Sequence, residues 1–307
     1  MLRDGLLFLS ENRLARRFAT EAPFAQGFSR RFVAGDTVAD ATRVARELNA
    51  TGMKVSLDYL GEAVETRAEA EAARDVVLEL LDRIAADRLD ANISIKLTQL
   101  GQDIDGCFVH DNTSAILERA RRHGLFIRFD MEGSEYTQRT LDFFGRVWAE
   151  GFTNCGVVIQ SYLRRSVDDI RELNARGARV RLCKGAYKEP PELAFPDKRD
   201  VDANFVRLME MLLEHGDYPG IATHDPAMID ATKRFGEKQG YDRDRFEFQM
   251  LYGVRRDLQN ALVGEGYNMR VYVPFGEAWY PYFMRRMAER PSNLFFVLGS
   301  VVREAIG

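Results

Sequence analysis

Cysteine is scarce in this chain: Cys107, Cys155 and Cys183 are the only three in 307 residues, far apart and without a CxxC spacing. An odd, scattered set argues against a disulfide framework and a cysteine-based zinc site, and fits a reducing cytoplasm. Histidine is nearly as rare. His110, His123, His215 and His224 lack metal-ligand spacing, the first three fall in predicted loops or helix ends, and only His224 ends a strand-like run. No metal is expected. Charge of one sign is missing too, since 43 basic and 47 acidic residues give −4 without long single-sign blocks. That leaves no nucleic-acid footprint. The N-terminal "GLLFLS" is too short for a signal-peptide core, lacks a small-residue cleavage site and is far from a membrane span, so no export is expected. There is no P-loop, no GxSxG and no HExxH. The single GxG, Gly264 to Gly266, follows a helix and has Met269 where a third glycine would stand, so it reads as a turn.

What is present, 46% hydrophobic and 29% charged residues, describes a globular chain long enough for one large barrel or two modest domains. After a helical N-terminal segment, 1–52, strand-like runs alternate with helical patterns. The runs are "KVSLDY" from Lys54, "NISIKL" from Asn92, "FIRFDM" from Phe126, "CGVVIQ" from Cys155, "RVRLCK" from Arg179, "GIATH" from Gly220, "FEFQML" from Phe246 and "MRVYV" from Met269. Helices are expected over Ala68 to Ala86, Thr113 to His123, Thr137 to Ala149 and Val167 to Ala175. Ser166 with Asp169 reads as a capping pair, and Asp225 before Pro226 as a helix start. Eight consecutive βα units without a linker predict an α/β fold, a closed (βα)8 TIM-like barrel over 53–307.

In such barrels chemistry sits at the C-terminal ends of the strands. Those ends are polar here: Lys96, Asp130, Gln160, Arg181 with Lys184, His224, Gln249 and Tyr272 mark seven of the eight runs. Period-two alternation puts Ser94 with Lys96, Arg128 with Asp130, Arg179 with Arg181, and Arg270 with Tyr272 on common faces. Interior charges are costly unless paired or used. One such residue is as well explained by a structural ion pair; seven are not. A basic, aromatic mouth suits an organic anion, either a carboxylate substrate or cofactor phosphates, and its lysines also allow Schiff-base chemistry. A class I aldolase-like barrel using Lys96 or Lys184, and a silent barrel that only binds an amino acid, remain alternatives on residues alone.

Near the end, "YPYFMRRMAERP" reads as a helix with Tyr282, Arg285, Arg286 and Glu289 along one stripe. A solvated face with an Arg285–Glu289 pair would be worth about 0.3 to 0.5 kcal/mol. Two guanidinium forks aimed at a carboxylate or phosphate are the sharper reading.

The ordered stretches "SIKLTQLG", "RFDMEGS", "VVIQSYLRRS", "VRLCKGAYKEP", "ATHDP", "FEFQMLYGVR", "RVYVPFG" and "YPYFMRRMAERP" closely resemble the proline dehydrogenases over about Leu57 to Pro291. The resemblance implies FAD as cofactor, L-proline as substrate, and a last helix lying over the barrel mouth. It implies hydride transfer from the ring carbon next to nitrogen to the flavin, giving pyrroline-5-carboxylate, with electrons passed on to a quinone. By the same resemblance Arg285 and Arg286 clamp the proline carboxylate with Lys96, while Tyr272, Tyr282 and Leu182 shape the pocket. Asp130 holds Lys96, Arg181 lies by the flavin, and Glu62 pairs with Arg285 to close the site. Gln160, Lys184, Gly185, Ala186, Thr223, His224, Gln249 and Glu289 match flavin contacts, and Lys198 a phosphate-side contact. Cys183 and Lys188 depart from the valine and tryptophan often found there. The chain ends at Gly307 without room for a fused aldehyde dehydrogenase, so a separate pyrroline-5-carboxylate dehydrogenase is an expected partner. The apolar segments "GLLFLSENRLARRF" and "NLFFVLGSVVREAI" are read as packing on the barrel, with a peripheral contact at the inner face of the membrane as the alternative.

Overall fold

Residues 31–61, 63–187 and 189–279 are described in a computed structural model of the chain, and within them the eight expected runs become eight parallel strands. In chain order the elements are α1 (Val38–Asn49), β1 (Lys54–Tyr59), α2 (Arg67–Asp87), β2 (Ala91–Ile95), α3 (Gly106–Arg122), β3 (Ile127–Phe129), α4 (Ser134–Ala149), β4 (Cys155–Gln160) and α5 (Ser166–Ala175). There follow β5 (Arg179–Cys183), α6 (Lys198–His215), β6 (Gly220–Ala222), α7 (Pro226–Gln239), β7 (Glu247–Leu251), α8 (Arg256–Gly264) and β8 (Asn268–Phe275). Each strand pairs with the next, and β1 also pairs with β8, with Ser56 opposite Tyr272, so the sheet closes into a barrel. The terminal helix expected over the mouth falls outside the described residues, as do both apolar terminal segments.

Alternation along the strands sorts the chain into two kinds of face. Val55, Leu57, Ile93, Ile95, Ile127, Phe129, Val157, Ile159, Val180 and Leu182 are buried in one apolar core with Ile84, Ile116, Phe144 and Phe205 of the helices. Hydrophobic burial at the strand–helix layer therefore holds the fold together. The intervening residues face the barrel axis and are largely polar, among them Ser56, Asp58, Ser94, Arg128, Arg181, Glu247, Gln249 and Arg270, all buried. Two glycines make room for them. A Cβ at Gly156 would run into the Arg179 carbonyl and Arg128 Nη1, and one at Gly220 into the Gln249 amide.

Local signals fix several helix starts. Thr66 and Glu69 form a capping box on α2, and Asp225 accepts from Ala227 N ahead of Pro226 in α7, as its sequence position predicts. The Ser166–Asp169 capping pair does not form. Arg165 occupies the cap position, Ser166 Oγ donates instead to the Gln160 carbonyl (2.6 Å), and Asp169 takes the Arg165 fork (2.9 Å). A strand-end carbonyl and a charged partner outcompete the local cap. Helix α3 also begins seven residues before the expected Thr113, because Asp105 caps Cys107 N and Phe108 N. His110 consequently lies inside a helix, bonded through Nε2 to Glu150 (2.7 Å).

Candidate active site

At the C-terminal end of the barrel a four-charge cluster lies across the axis. The Lys96 ammonium is 2.9 Å from Asp58 Oδ1 and 3.9 Å from Asp130 Oδ2. Asp130 also accepts from Arg181 Nη1 (2.7 Å) and from the Tyr272 hydroxyl (2.6 Å). Strand geometry explains the convergence: Asp58, Lys96 and Asp130 stand at or just past the ends of three consecutive strands, and Tyr272 comes from β8 on the far side of β1. Lys96 and Asp130 are each 9% exposed and Asp58 only 1%, so the charges are nearly dry and balance one another.

Below this layer Arg181 is held rigidly. It donates to Asp130 through Nη1, to Gln249 Oε1 through Nε (2.5 Å), and through Nη2 to Ser56 Oγ and Ser94 Oγ (3.1 Å each). Its guanidinium carbon lies 5.2 Å from the centre of the Tyr272 ring. Tyr272 is therefore fixed at its hydroxyl by Asp130 and at its face by Arg181. Burial, then the Asp130 and Asp58 charges, push the phenol well above its ordinary range, so it stays protonated and donates to Asp130. For Asp58, burial raises the carboxyl and Lys96 opposes the rise; the net direction is upward. Both carboxylates lie within ion-pair distance of the Lys96 nitrogen.

Other expected site residues ring this cluster. Gln160 is buried at the end of β4, and its Oε1 has no hydrogen-bond partner among the described residues. His224 follows β6 and accepts the Leu251 N–H at Nε2 (2.9 Å), which places its proton on Nδ1. Thr223 Oγ1 accepts from Asp225 N (3.1 Å) and shapes the turn into α7. Lys184 Nζ lies between Asp202 (2.5 Å) and Asp225 (2.7 Å), and Lys198 binds the same two carboxylates. Gly185, at φ 107°, sits against the Tyr162 ring in a left-handed conformation suited to glycine, and the partly buried Ala186 follows it.

Leu182 is not brought into the pocket. The alternation that turns Arg181 to the axis sends Leu182 to the helix side, where it is fully buried. Glu62, Tyr282, Arg285, Arg286 and Glu289 lie outside the described residues, as does Lys188. Sequence reasoning missed Asp58, which lies nearer to Lys96 (2.9 Å) than Asp130 does (3.9 Å), having assigned that role to Asp130. The signal was present in V-S-L-D-Y, where period two puts Ser56 and Asp58 on the inner face of β1, the one strand whose end was not counted among the polar ones.

The comparison with known proteins gives this cluster its context. Residues 41–298 match the family model described as Proline dehydrogenase. The chain belongs to the proline dehydrogenase family. It is 40% identical over 306 residues to Proline dehydrogenase 2 of Bacillus subtilis strain 168, covering 98% of this chain and 99% of that one. It is 39% identical over 307 residues to Proline dehydrogenase of Deinococcus radiodurans, covering 99% and 98%. Among solved structures it is similar to proline utilization A from Bdellovibrio bacteriovorus inactivated by N-propargylglycine, with a TM-score of 0.80 and 28% identity. That match covers 86% of this chain and 32% of the longer protein. Against this proline dehydrogenase barrel, the buried Lys96, Asp58, Asp130, Arg181 and Tyr272 set lies at the end of the strands where such folds carry their chemistry.

Proposed function

We propose that this chain oxidises L-proline to pyrroline-5-carboxylate with bound FAD as electron acceptor and a quinone as the onward oxidant. The observation that carries the reading is the Lys96 ammonium, held by Asp58 at 2.9 Å in a nearly dry barrel mouth of a proline dehydrogenase family member. In the reaction the ring C–N single bond becomes a double bond, and the substrate loses two electrons and two protons. FAD, when bound, supplies the two-electron acceptor.

The residues present fit a flavin. Gln160 offers a buried amide oxygen without a hydrogen-bond partner among the described residues, the kind of acceptor that a ring imide N–H satisfies. Arg181 adds a fixed positive charge to the mouth, and charge near the flavin ring favours its electron-rich reduced form. Gln160, Lys184, Gly185, Ala186, Thr223, His224 and Gln249 are the residues assigned to hold it, with Lys198 on the phosphate side and Glu289 from the last helix. Since Lys184 and Lys198 share Asp202 and Asp225 in pairs, these four act as a balanced frame around that side of the mouth.

The chain's own contribution is binding and orientation. Lys96, with Arg285 and Arg286, grips the substrate carboxylate, and Asp58 and Asp130 fix where the ammonium sits. Tyr272 gives the ring a rigid wall because its hydroxyl and its face are both engaged. Tyr282 completes that wall, and Glu62 closes the site through Arg285. Holding a reactive carbon in one orientation is worth several powers of ten in rate, so no covalent bond from protein to substrate is required. A separate pyrroline-5-carboxylate dehydrogenase would consume the product. We place the protein in the cytoplasm, with its apolar terminal segments packed on the barrel and a peripheral contact at the inner membrane face as the alternative. No helix among the described residues is long and apolar enough to cross a membrane.

Proline-dependent reduction of an artificial electron acceptor, run against the amide of proline, tests the reading. Turnover of L-proline and none of the amide supports a carboxylate grip on a proline oxidase; equal rates, or none with either, contradict it.

A further inference from the structure

What aims Arg181 lies deeper in the barrel than the mouth it serves. The Ser56 and Ser94 hydroxyls at its Nη2 can each turn to donate or accept, so they follow the guanidinium more than they direct it. Gln249 Oε1 takes Nε at 2.5 Å. An amide, however, has a donor end as well as an acceptor end, and its oxygen meets Arg181 only if something turns it that way.

Glu247 does so. It lies two residues before Gln249 on β7, so period two puts both side chains on the inner face, and Gln249 Nε2 donates to Glu247 Oε1 at 2.6 Å. Burial pushes the Glu247 carboxyl up, but the Arg270 charge and the hydrogen bonds from Arg270 and Gln249 outweigh it and keep it ionised at neutral pH. A carboxylate only accepts and a guanidinium only donates, so the amide between them has one satisfied orientation; turned over, it would set oxygen against oxygen and N–H against N–H. Arg270 fixes the carboxylate in turn, through Nε to Oε1 (2.6 Å) and Nη2 to Oε2 (2.9 Å), and is itself anchored by Nη1 on the Val55 carbonyl (2.8 Å). Gly220 of β6, in register with Glu247, leaves the amide its room. A buried chain of matched donors and acceptors thus runs from Arg270 through Glu247 and Gln249 to Arg181.

We propose, on the basis of the flavin assignment, that Glu247 is a positioning residue for the redox step: by turning the Gln249 amide it aims Arg181, and so sets how strongly the protein favours the reduced flavin. Glu247 acts at one remove.

The test is the flavin midpoint potential of the purified holoenzyme, measured against reference dyes in a double-mutant cycle of Glu247→Gln and Arg181→Lys. Glu247→Gln keeps the volume, but once its carbonyl answers Arg270 it presents N–H to Gln249, whose own N–H must then turn on Arg181. Arg181→Lys keeps the charge and drops the Nε–H. Loss of the carboxylate charge shifts the potential alike in both backgrounds and cancels from the cycle. Loss of aim acts only where Arg181 is present, and should appear as a coupling of about tenfold in the balance of oxidised and reduced flavin, about 30 mV for a two-electron couple. In a Gln249→Leu background the coupling should vanish. Should Glu247→Gln fail to fold, Glu247→Leu with Arg270→Met removes the buried pair without changing net charge, an exchange that is often neutral, and takes its place in the cycle. A purely structural Glu247 would lower the melting temperature and leave the potentials additive. Additive shifts, or a coupling that survives Gln249→Leu, in a parent whose flavin L-proline reduces would overturn this proposal alone. A parent without a flavin that L-proline reduces would overturn the assigned activity and this proposal with it.

Discussion

Replacing Lys96 by methionine removes the one ammonium that stands between Asp58 and Asp130 while keeping much of the side-chain volume. The parent pair is nearly dry, with the Lys96 side chain 11% and the Asp58 side chain 2% exposed. Breaking a buried pair from one side costs about 3 to 5 kcal/mol, because the surviving charge is left uncompensated. At roughly 2 °C per kcal/mol for a chain of this size, the melting temperature should fall by about 6 to 10 °C. The loss has a defined pH dependence. Burial already pushes Asp58 upward and Lys96 opposes the rise, so its removal raises the folded value further. A group whose folded pKa exceeds its unfolded value contributes stability below the unfolded value, about 3.9, and loses it as pH rises through the folded one. The gap between parent and Lys96→Met should therefore narrow as pH falls from 8 toward 5. Adding Asp58→Asn to Lys96→Met should recover most of the lost stability without recovering proline turnover, which calorimetric melting and steady-state assays would measure as a double-mutant cycle. A single variant that melts with the parent, or a double variant no more stable than the single, would refute the charge accounting at the mouth.

Either Arg285→Lys or Arg286→Lys keeps the charge but loses the planar fork, so proline affinity should weaken about ten- to a hundredfold, equivalent to about 1.5 to 3 kcal/mol, with FAD content and melting temperature little changed; titration with a carboxylate-bearing analogue measures it. At the other end of the barrel, burial raises Glu247, but the Arg270 charge and hydrogen bonds outweigh it and the net direction is downward. That stability is present above the ordinary glutamate value, about 4.3, and is lost as pH falls through the folded one, so Glu247→Gln should destabilise by about 3 to 5 kcal/mol at pH 7 and by progressively less toward pH 3 in denaturant melts.

Much of the barrel was legible because its two faces differ so sharply. In C-G-V-V-I-Q and K-V-S-L-D-Y the strand bounds match the apolar runs to the residue, since turn-forming stretches flank both. The polar strand ends were equally visible, and Lys96, Asp130, Arg181 and Tyr272 do meet. Pair choice was harder to read. Period two puts both Asp58 and Asp130 on the inner face but does not say which lies nearer to Lys96; that depends on barrel stagger, which sets Asp58 against Ser94 on the neighbouring strand. Leu182 differs for the reverse reason: next to the inward Arg181 on β5, strand parity turns it toward the buried apolar core. Ser166 misled as a cap because the Gln160 carbonyl, six residues back, competes for the same hydroxyl. The deep pairing of Arg270 with Glu247 joins residues 23 apart, and no local pattern announces it.

The most direct test of the central claim is the visible absorption spectrum of the purified protein before and after anaerobic addition of L-proline. A proline-oxidising flavoenzyme built on Lys96, Arg181 and Tyr272 should be yellow, and L-proline, but not its amide, should bleach it. A protein that stays colourless and inactive after FAD is added, or one whose flavin band is indifferent to L-proline, would contradict the account.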